Sequence, residues 1–143
     1  MPNSINYATA AHYAPQSALS SLTNGASLIS TLYYNNRLQP CRISVKFSGA
    51  APATCTDPAT GNVFDFAYCF NSNMSDADRA AHNCTASATL NNGNVAQIVN
   101  KQATARTQNF KYDSLNRIQS AYTEATTGQY CWDEAFGYGP KKV

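Results

Sequence analysis

Charged side chains are scarce in this sequence: Asp, Glu, Lys and Arg make up 13% of its 143 residues, against about 25% in an ordinary soluble domain. The formal charge is only +2, and Lys141-Lys142 is the one adjacent basic pair, so the chain carries no basic patch for nucleic acid. No apolar run approaches the ~20 residues of a membrane helix. Residues 1–6, Met-Pro-Asn-Ser-Ile-Asn, lack the basic start and apolar stretch of a signal peptide. Export is expected only as part of a longer chain or by another route. Gly-rich phosphate loops and Gly-x-Ser-x-Gly elbows are missing too, which removes two common catalytic frameworks.

The five cysteines, Cys41, Cys55, Cys69, Cys84 and Cys131, lack the close pairs that a zinc site needs. Their expected state is isolated thiols buried or half-buried among strands. The even spacing of the first four leaves another reading open, two disulfides with the fifth thiol unpaired.

What fills the gap is polar and β-forming. The chain holds 15 Asn, 13 Ser, 13 Thr and 9 Tyr. Tyr and Thr suit pleated surfaces, and Asn suits tight turns. At 143 residues there is room for one ordinary domain with a modest core.

Strand and turn signals alternate along the chain. After His12-Tyr13-Ala14-Pro15, residues 18–22 form a short strand, and Asn24-Gly25 predicts a two-residue type I′ hairpin turn. Residues 28–34 answer it, Asn35-Asn36 turns again, and Arg37 to Phe47 follows. There Ile43, Val45 and Phe47 alternate with Ser44 and Lys46, which predicts a half-buried strand. Residues 48–62 form a turn-rich loop. In the next strand Phe64, Phe66, Tyr68 and Phe70 share one face. Near 75–82 a helical or loop insertion is expected, with Ser75 capping a turn or two from Asp76 to His82. Asn91 to Asn94 turns into a strand holding Val95, Ile98 and Val99. A hairpin around Asp113 to Asn116 and a last strand from Tyr130 to Tyr138 complete the chain.

Candidate chemistry is thin. His82 lies two residues from Cys84, but neighbours in a loop seldom align nucleophile and base. His12 has no acidic or thiol neighbour in sequence. Asp133 and Glu134 point to opposite faces of a strand. Asp76-Ala77-Asp78 supplies too few acids for a calcium loop. The glycosylation patterns Asn73-Met74-Ser75 and Asn83-Cys84-Thr85 are taken as chance in an Asn-rich chain. Trp132 and the tyrosines suit either sugar stacking or, preferably, filling of a sheet face.

A repeat is also visible. Tyr112-Asp113-Ser114-Leu115-Asn116-Arg117-Ile118 resembles the YD-repeat motif of the rearrangement hot spot (RHS) family. Asn92-Gly93-Asn94-Val95 resembles half of another unit, and Tyr34-Asn35-Asn36-Arg37-Leu38-Gln39 a variant one. Phe136-Gly137-Tyr138 resembles the opening of a further copy, except that Gly139-Pro140 stands where Asp should follow. The motif residues are therefore Tyr34, Arg37, Gly93, Asn94, Tyr112, Asp113, Asn116, Arg117 and Tyr138. Tyr112 is expected to pack on the sheet, Asp113 to accept backbone N–H bonds, and Asn116 to take the left-handed conformation. Arg117 is expected to pair with an acid on a neighbouring unit.

The resemblance implies a mainly β fold of antiparallel hairpins side by side in a curved sheet, a segment of a β-shell. Residues 1–143 would form a single partial repeat region, with units near 12–47, 63–100 and 109–138 and inserted loops at 48–62 and 71–90. It implies a bacterial, secreted, toxin-associated, non-enzymatic scaffold without cofactor or metal. Its partners would be the rest of a longer chain or an encapsulated polypeptide such as a C-terminal toxin. The alternative function is carbohydrate or cell-surface binding through sheet aromatics. No self-cleavage motif or effector domain of that family is present, so neither activity is carried onto this chain.

Overall fold

Short polar turns between Thr-, Tyr- and Ile-bearing stretches leave the chain little choice but hairpins. The computed structural model describes residues 7–25, 27–47, 52, 54–56, 63–71, 73–84 and 90–139. Its strands are β1 (Ala8–Tyr13), β2 (Leu19–Asn24), β3 (Ile29–Tyr34), β4 (Pro40–Lys46), β5 (Phe64–Cys69), β6 (Gln97–Asn100), β7 (Gln108–Tyr112), β8 (Ile118–Thr123) and β9 (Asp133–Ala135). A short helix, α1 (Asp76–Ala80), and a 3-10 turn at Thr104–Arg106 lie between strands. The fold is mainly β, with strands hydrogen-bonded in chain order. Pairing is antiparallel from β1 through β5 and from β6 through β9. Packing divides the chain into two compact units, Met1–Ala67 and Tyr68–Val143.

In the first unit, cross-strand partners define two faces. Tyr33 lies opposite Arg42 and Arg42 opposite Ala67, while Thr31 lies opposite Ser44 and Ser44 opposite Asp65. Arg42, Ser44, Lys46, Asp65 and Ala67 are all buried. The other face carries Leu32, Ile43 and Val45, each half-exposed, with Phe64 40% exposed. β4 is thus half-buried as expected, with its polar side the covered one, and on β5 the aromatic side is likewise the more open one. The cause is non-local. Pro52 and Thr54 come to the polar side, where Arg42 Nη1 donates to the Thr54 carbonyl at 3.2 Å and the Tyr33 hydroxyl donates to the Pro52 carbonyl. A Cys41–Cys55 disulfide ties the stretch 54–56 to β4. Beneath it Arg42 makes a two-pronged pair with Asp65, Nε to Oδ1 at 2.8 Å and Nη2 to Oδ2 at 2.7 Å, with both side chains fully buried.

The second unit is built alike. Ser75 caps α1 as expected, accepting the Asp78 N–H at 3.1 Å. The helix buries Arg79, whose Nη1 donates to the Ala96 carbonyl at 2.7 Å and to Asn109 Oδ1 at 3.3 Å, while Nη2 donates to the Phe110 carbonyl at 3.0 Å. Gln97, opposite Asn109 across the β6–β7 pair, donates to the Arg79 carbonyl at 2.9 Å. A Cys69–Cys84 disulfide closes the segment. The first four cysteines are therefore paired, which corrects the expectation of isolated thiols; Cys131 is free and exposed. The last strand is shorter than expected, because residues 128–131 form a turn in which the Cys131 N–H donates to the Gly128 carbonyl at 3.0 Å. β1 (Ala8–Tyr13) is a strand that precedes the first expected one at residues 18–22.

Candidate functional site

Four hairpin turns share one hydrogen-bond pattern. Ala14, Asn24, Asn35 and Asp113 each donate their N–H to the carbonyl four residues on, at 2.8 to 2.9 Å. The carbonyl of each accepts from the N–H three residues on, at 2.8 to 3.0 Å. That third residue is left-handed every time: Ser17 (φ 62°), Ser27 (φ 62°), Leu38 (φ 61°) and Asn116 (φ 60°). This is the three-residue hairpin loop, a type I turn followed by a left-handed residue that makes a bulge. The pairing register slips where it should, between Tyr33 and Tyr34 and between Lys111 and Tyr112. The turn at Asn24-Gly25 is thus present, but as this longer loop and not as the expected two-residue type I′ turn.

Side chains reinforce the loop. Asp113 Oδ1 accepts the Leu115 N–H at 2.9 Å and the Arg117 N–H at 3.0 Å. Asn35 Oδ1 does the same for Arg37 at 2.9 Å and Gln39 at 3.1 Å. Arg117 Nε reaches Asp113 Oδ2 at 2.7 Å, and in the corresponding place Asn35 Nδ2 donates to Gln39 Oε1 at 2.8 Å. The Arg117 hydrogen bonds hold the Asp113 carboxyl below its ordinary pKa of 3.8. Arg117 therefore serves its own turn, correcting the expected pairing with a neighbouring unit. Arg37 is not its counterpart; Gln39 is. Arg37 sits at the loop tip, in the place of Leu115.

Tyrosines link one turn to another. The Tyr34 hydroxyl donates to the Leu19 carbonyl at 2.8 Å, that of Tyr112 to Val95 at 2.9 Å, and that of Tyr138 to Ile118 at 2.8 Å. Each acceptor lies two residues after a left-handed residue: Ser17, Gly93 (φ 97°) or Asn116. Arg117 also stacks over the Tyr138 ring, 4.2 Å from its centre. Asn92 Nδ2 and Asn94 Nδ2 both donate to Asn116 Oδ1, at 2.7 and 3.2 Å. In the second unit the motif residues Gly93, Asn94, Tyr112, Asp113, Asn116, Arg117 and Tyr138 thus form one bonded chain of turns, while Tyr34 and Arg37 belong to the first unit. Burial raises the Tyr112 pKa, and the nearby Arg79 guanidinium partly offsets this.

The carbonyls of Leu19, Val95 and Ile118 are the participants that sequence reading missed. A usable signal existed: Tyr13 to Leu19, Tyr34 to Pro40 and Tyr112 to Ile118 are equal steps along the chain.

The candidate reactive side chains around α1 are engaged. Cys84 is disulfide-bonded, so it offers no thiol to His82. His82 Nε2 instead meets Glu124 Oε2 at 2.9 Å. Asp76 pairs with Lys111 at 3.0 Å, and Asp78 accepts from Ser75 Oγ at 2.5 Å. No helix among the described residues is long and apolar enough to cross a membrane. No protein-family model matches the chain, and no curated protein matches it.

Proposed function

We propose that this chain is a non-enzymatic repeat scaffold, a stretch of curved β-shell of the RHS/YD type that encloses or displays a partner polypeptide. The observation that carries the reading is the recurrence of one turn geometry with a tyrosine tether to another turn. Such a device gains nothing within a single hairpin and becomes useful when units are tiled, since each buries its face only against neighbours. Its partners are further repeats of the same kind and the polypeptide they hold. Two disulfides fit an oxidising setting, so the scaffold is assigned to the cell exterior or envelope.

Electron microscopy of the protein made from the whole reading frame tests this. A hollow β-shell with polypeptide density inside supports it. A chain that neither continues the repeats nor curves around anything sinks it.

A second reading, carbohydrate or cell-surface binding, draws on Tyr13 and Trp132, which are 66% and 40% exposed. It is the weaker one, because guanidinium groups lie over two other exposed rings, Arg106 over Tyr130 at 4.7 Å and Arg117 over Tyr138. Glycan-array binding that disappears in Trp132→Ala would favour it over the scaffold.

A further inference from the structure

Tyr13 stands where two of the tethering tyrosines stand. It faces Leu19 across its own loop as Tyr34 faces Pro40 and Tyr112 faces Ile118, with the same slip of register just before it. The first residue of a three-residue loop follows each of them: Ala14, Asn35 or Asp113. Yet Tyr34 and Tyr112 are half-buried and their hydroxyls are bonded, whereas Tyr13 is 66% exposed and its hydroxyl has no partner among the described residues.

The three tethers obey one rule of placement. Each runs from the end of one strand to the start of the strand before it. The accepting carbonyl lies across from the residue that precedes the tyrosine: extending the registers, Leu19 faces Tyr33, Val95 faces Lys111 and Ile118 faces Gly137. Applied to Tyr13, the rule puts the acceptor across from His12, on a strand paired to the outer side of β1. That side is open among the described residues, and Ala-Thr-Ala-Ala-His-Tyr carries no Asp, Glu, Lys or Arg, the usual guards of a free edge.

We propose that the outer edge of β1 is a docking site for a strand-turn-strand unit of another repeat. The unit adds as an antiparallel strand, and its carbonyl two residues past a left-handed loop residue accepts the Tyr13 hydroxyl. Backbone bonds hold the added strand, and the tyrosine fixes its register. Tyr13 then does for the incoming unit what Tyr138 does for Ile118. This rests on the scaffold reading and names a contact by which its units tile. A second copy of this chain does not supply the occupant, because the strands that follow the three acceptors, β2, β6 and β8, lie inside the sheet.

The test is an NMR titration of the dilute full chain, with labelled tyrosine rings and backbone amides. The probe is a synthetic hairpin of residues 108–123, closed by a disulfide between added terminal cysteines, which presents the Ile118 carbonyl. The Tyr13 ring and the amides of Thr9 and His12 shift saturably. Tyr13→Phe, an exposed change, lowers the affinity read from those amides about fivefold. A hairpin carrying Asn116→Pro, which cannot take the left-handed conformation, produces no shift. The proposal is overturned by an absence of saturable shifts, by equal affinity in Tyr13→Phe, or by the same Tyr13 shift when the chain alone is concentrated. A hollow shell seen by electron microscopy would stand beside any of these results, so the tether and the scaffold reading fail separately.

Discussion

Leu38 occupies the left-handed position of its turn with a φ of 61° and is 59% exposed. A Cβ there meets the following carbonyl, at about 1–2 kcal/mol. Leu38→Gly is therefore expected to stabilise the protein by roughly 1 kcal/mol, the gain trimmed by the greater freedom of unfolded glycine; urea melts measure it. Asn116→Gly should gain less, because asparagine tolerates this conformation. Tyr112→Phe removes the hydroxyl given to Val95 and should cost about 1 kcal/mol, read from the same melts. At Asp113 the folded carboxyl titrates below its ordinary pKa because Arg117 bonds its charged form. Its stabilising contribution is thus complete above the unfolded value near 4 and is lost as pH falls through the folded value. Stability measured against pH should show an acid-side decline that is smaller in Asp113→Asn.

Between turns, the elements are governed by what covers them. β4 alternates Ile43 and Val45 with Arg42, Ser44 and Lys46, and it is the polar set that is buried. A strand's period gives two faces without saying which will be covered. Here the Thr54 carbonyl reaches Arg42, and Asp65 arrives from β5, so the polar face has partners. The Cys41–Cys55 bond closes a loop with a separation of 14 residues. Replacing both cysteines with serine should cost about 3 kcal/mol by chain entropy. Hydrogen exchange in this variant should rise at the amides of β4 and β5, and unchanged exchange would show that the loop holds itself down.

For the whole molecule, the consequence lies at the edges. Among the described residues β1, exposed along its length, pairs only with β2, and β9 pairs only with β8. Unpaired strand edges invite further strands, so the isolated chain is expected to self-associate. Ala11→Lys, a charge in the middle of β1, should lower the apparent mass in analytical ultracentrifugation at matched concentration. A monodisperse monomer for the native chain would remove the tiling argument's main physical support. The division of packing inside β5 was not legible in the sequence, since Val63 to Phe70 reads as one uninterrupted strand.

The sequence by itself determined where the chain turns and where Ser75 starts the helix. Those choices are made by Asn, Asp and Ser side chains bonding to backbone a few residues away, and Asp113, Asn35 and Asn24 do this in the same way. Only the tertiary structure decided the disulfide partners, the buried face of β4, and the bonds from Tyr34, Tyr112 and Tyr138 to another turn. Each of these joins residues a dozen or more positions apart, and local alternation carries no information about which distant segment will arrive.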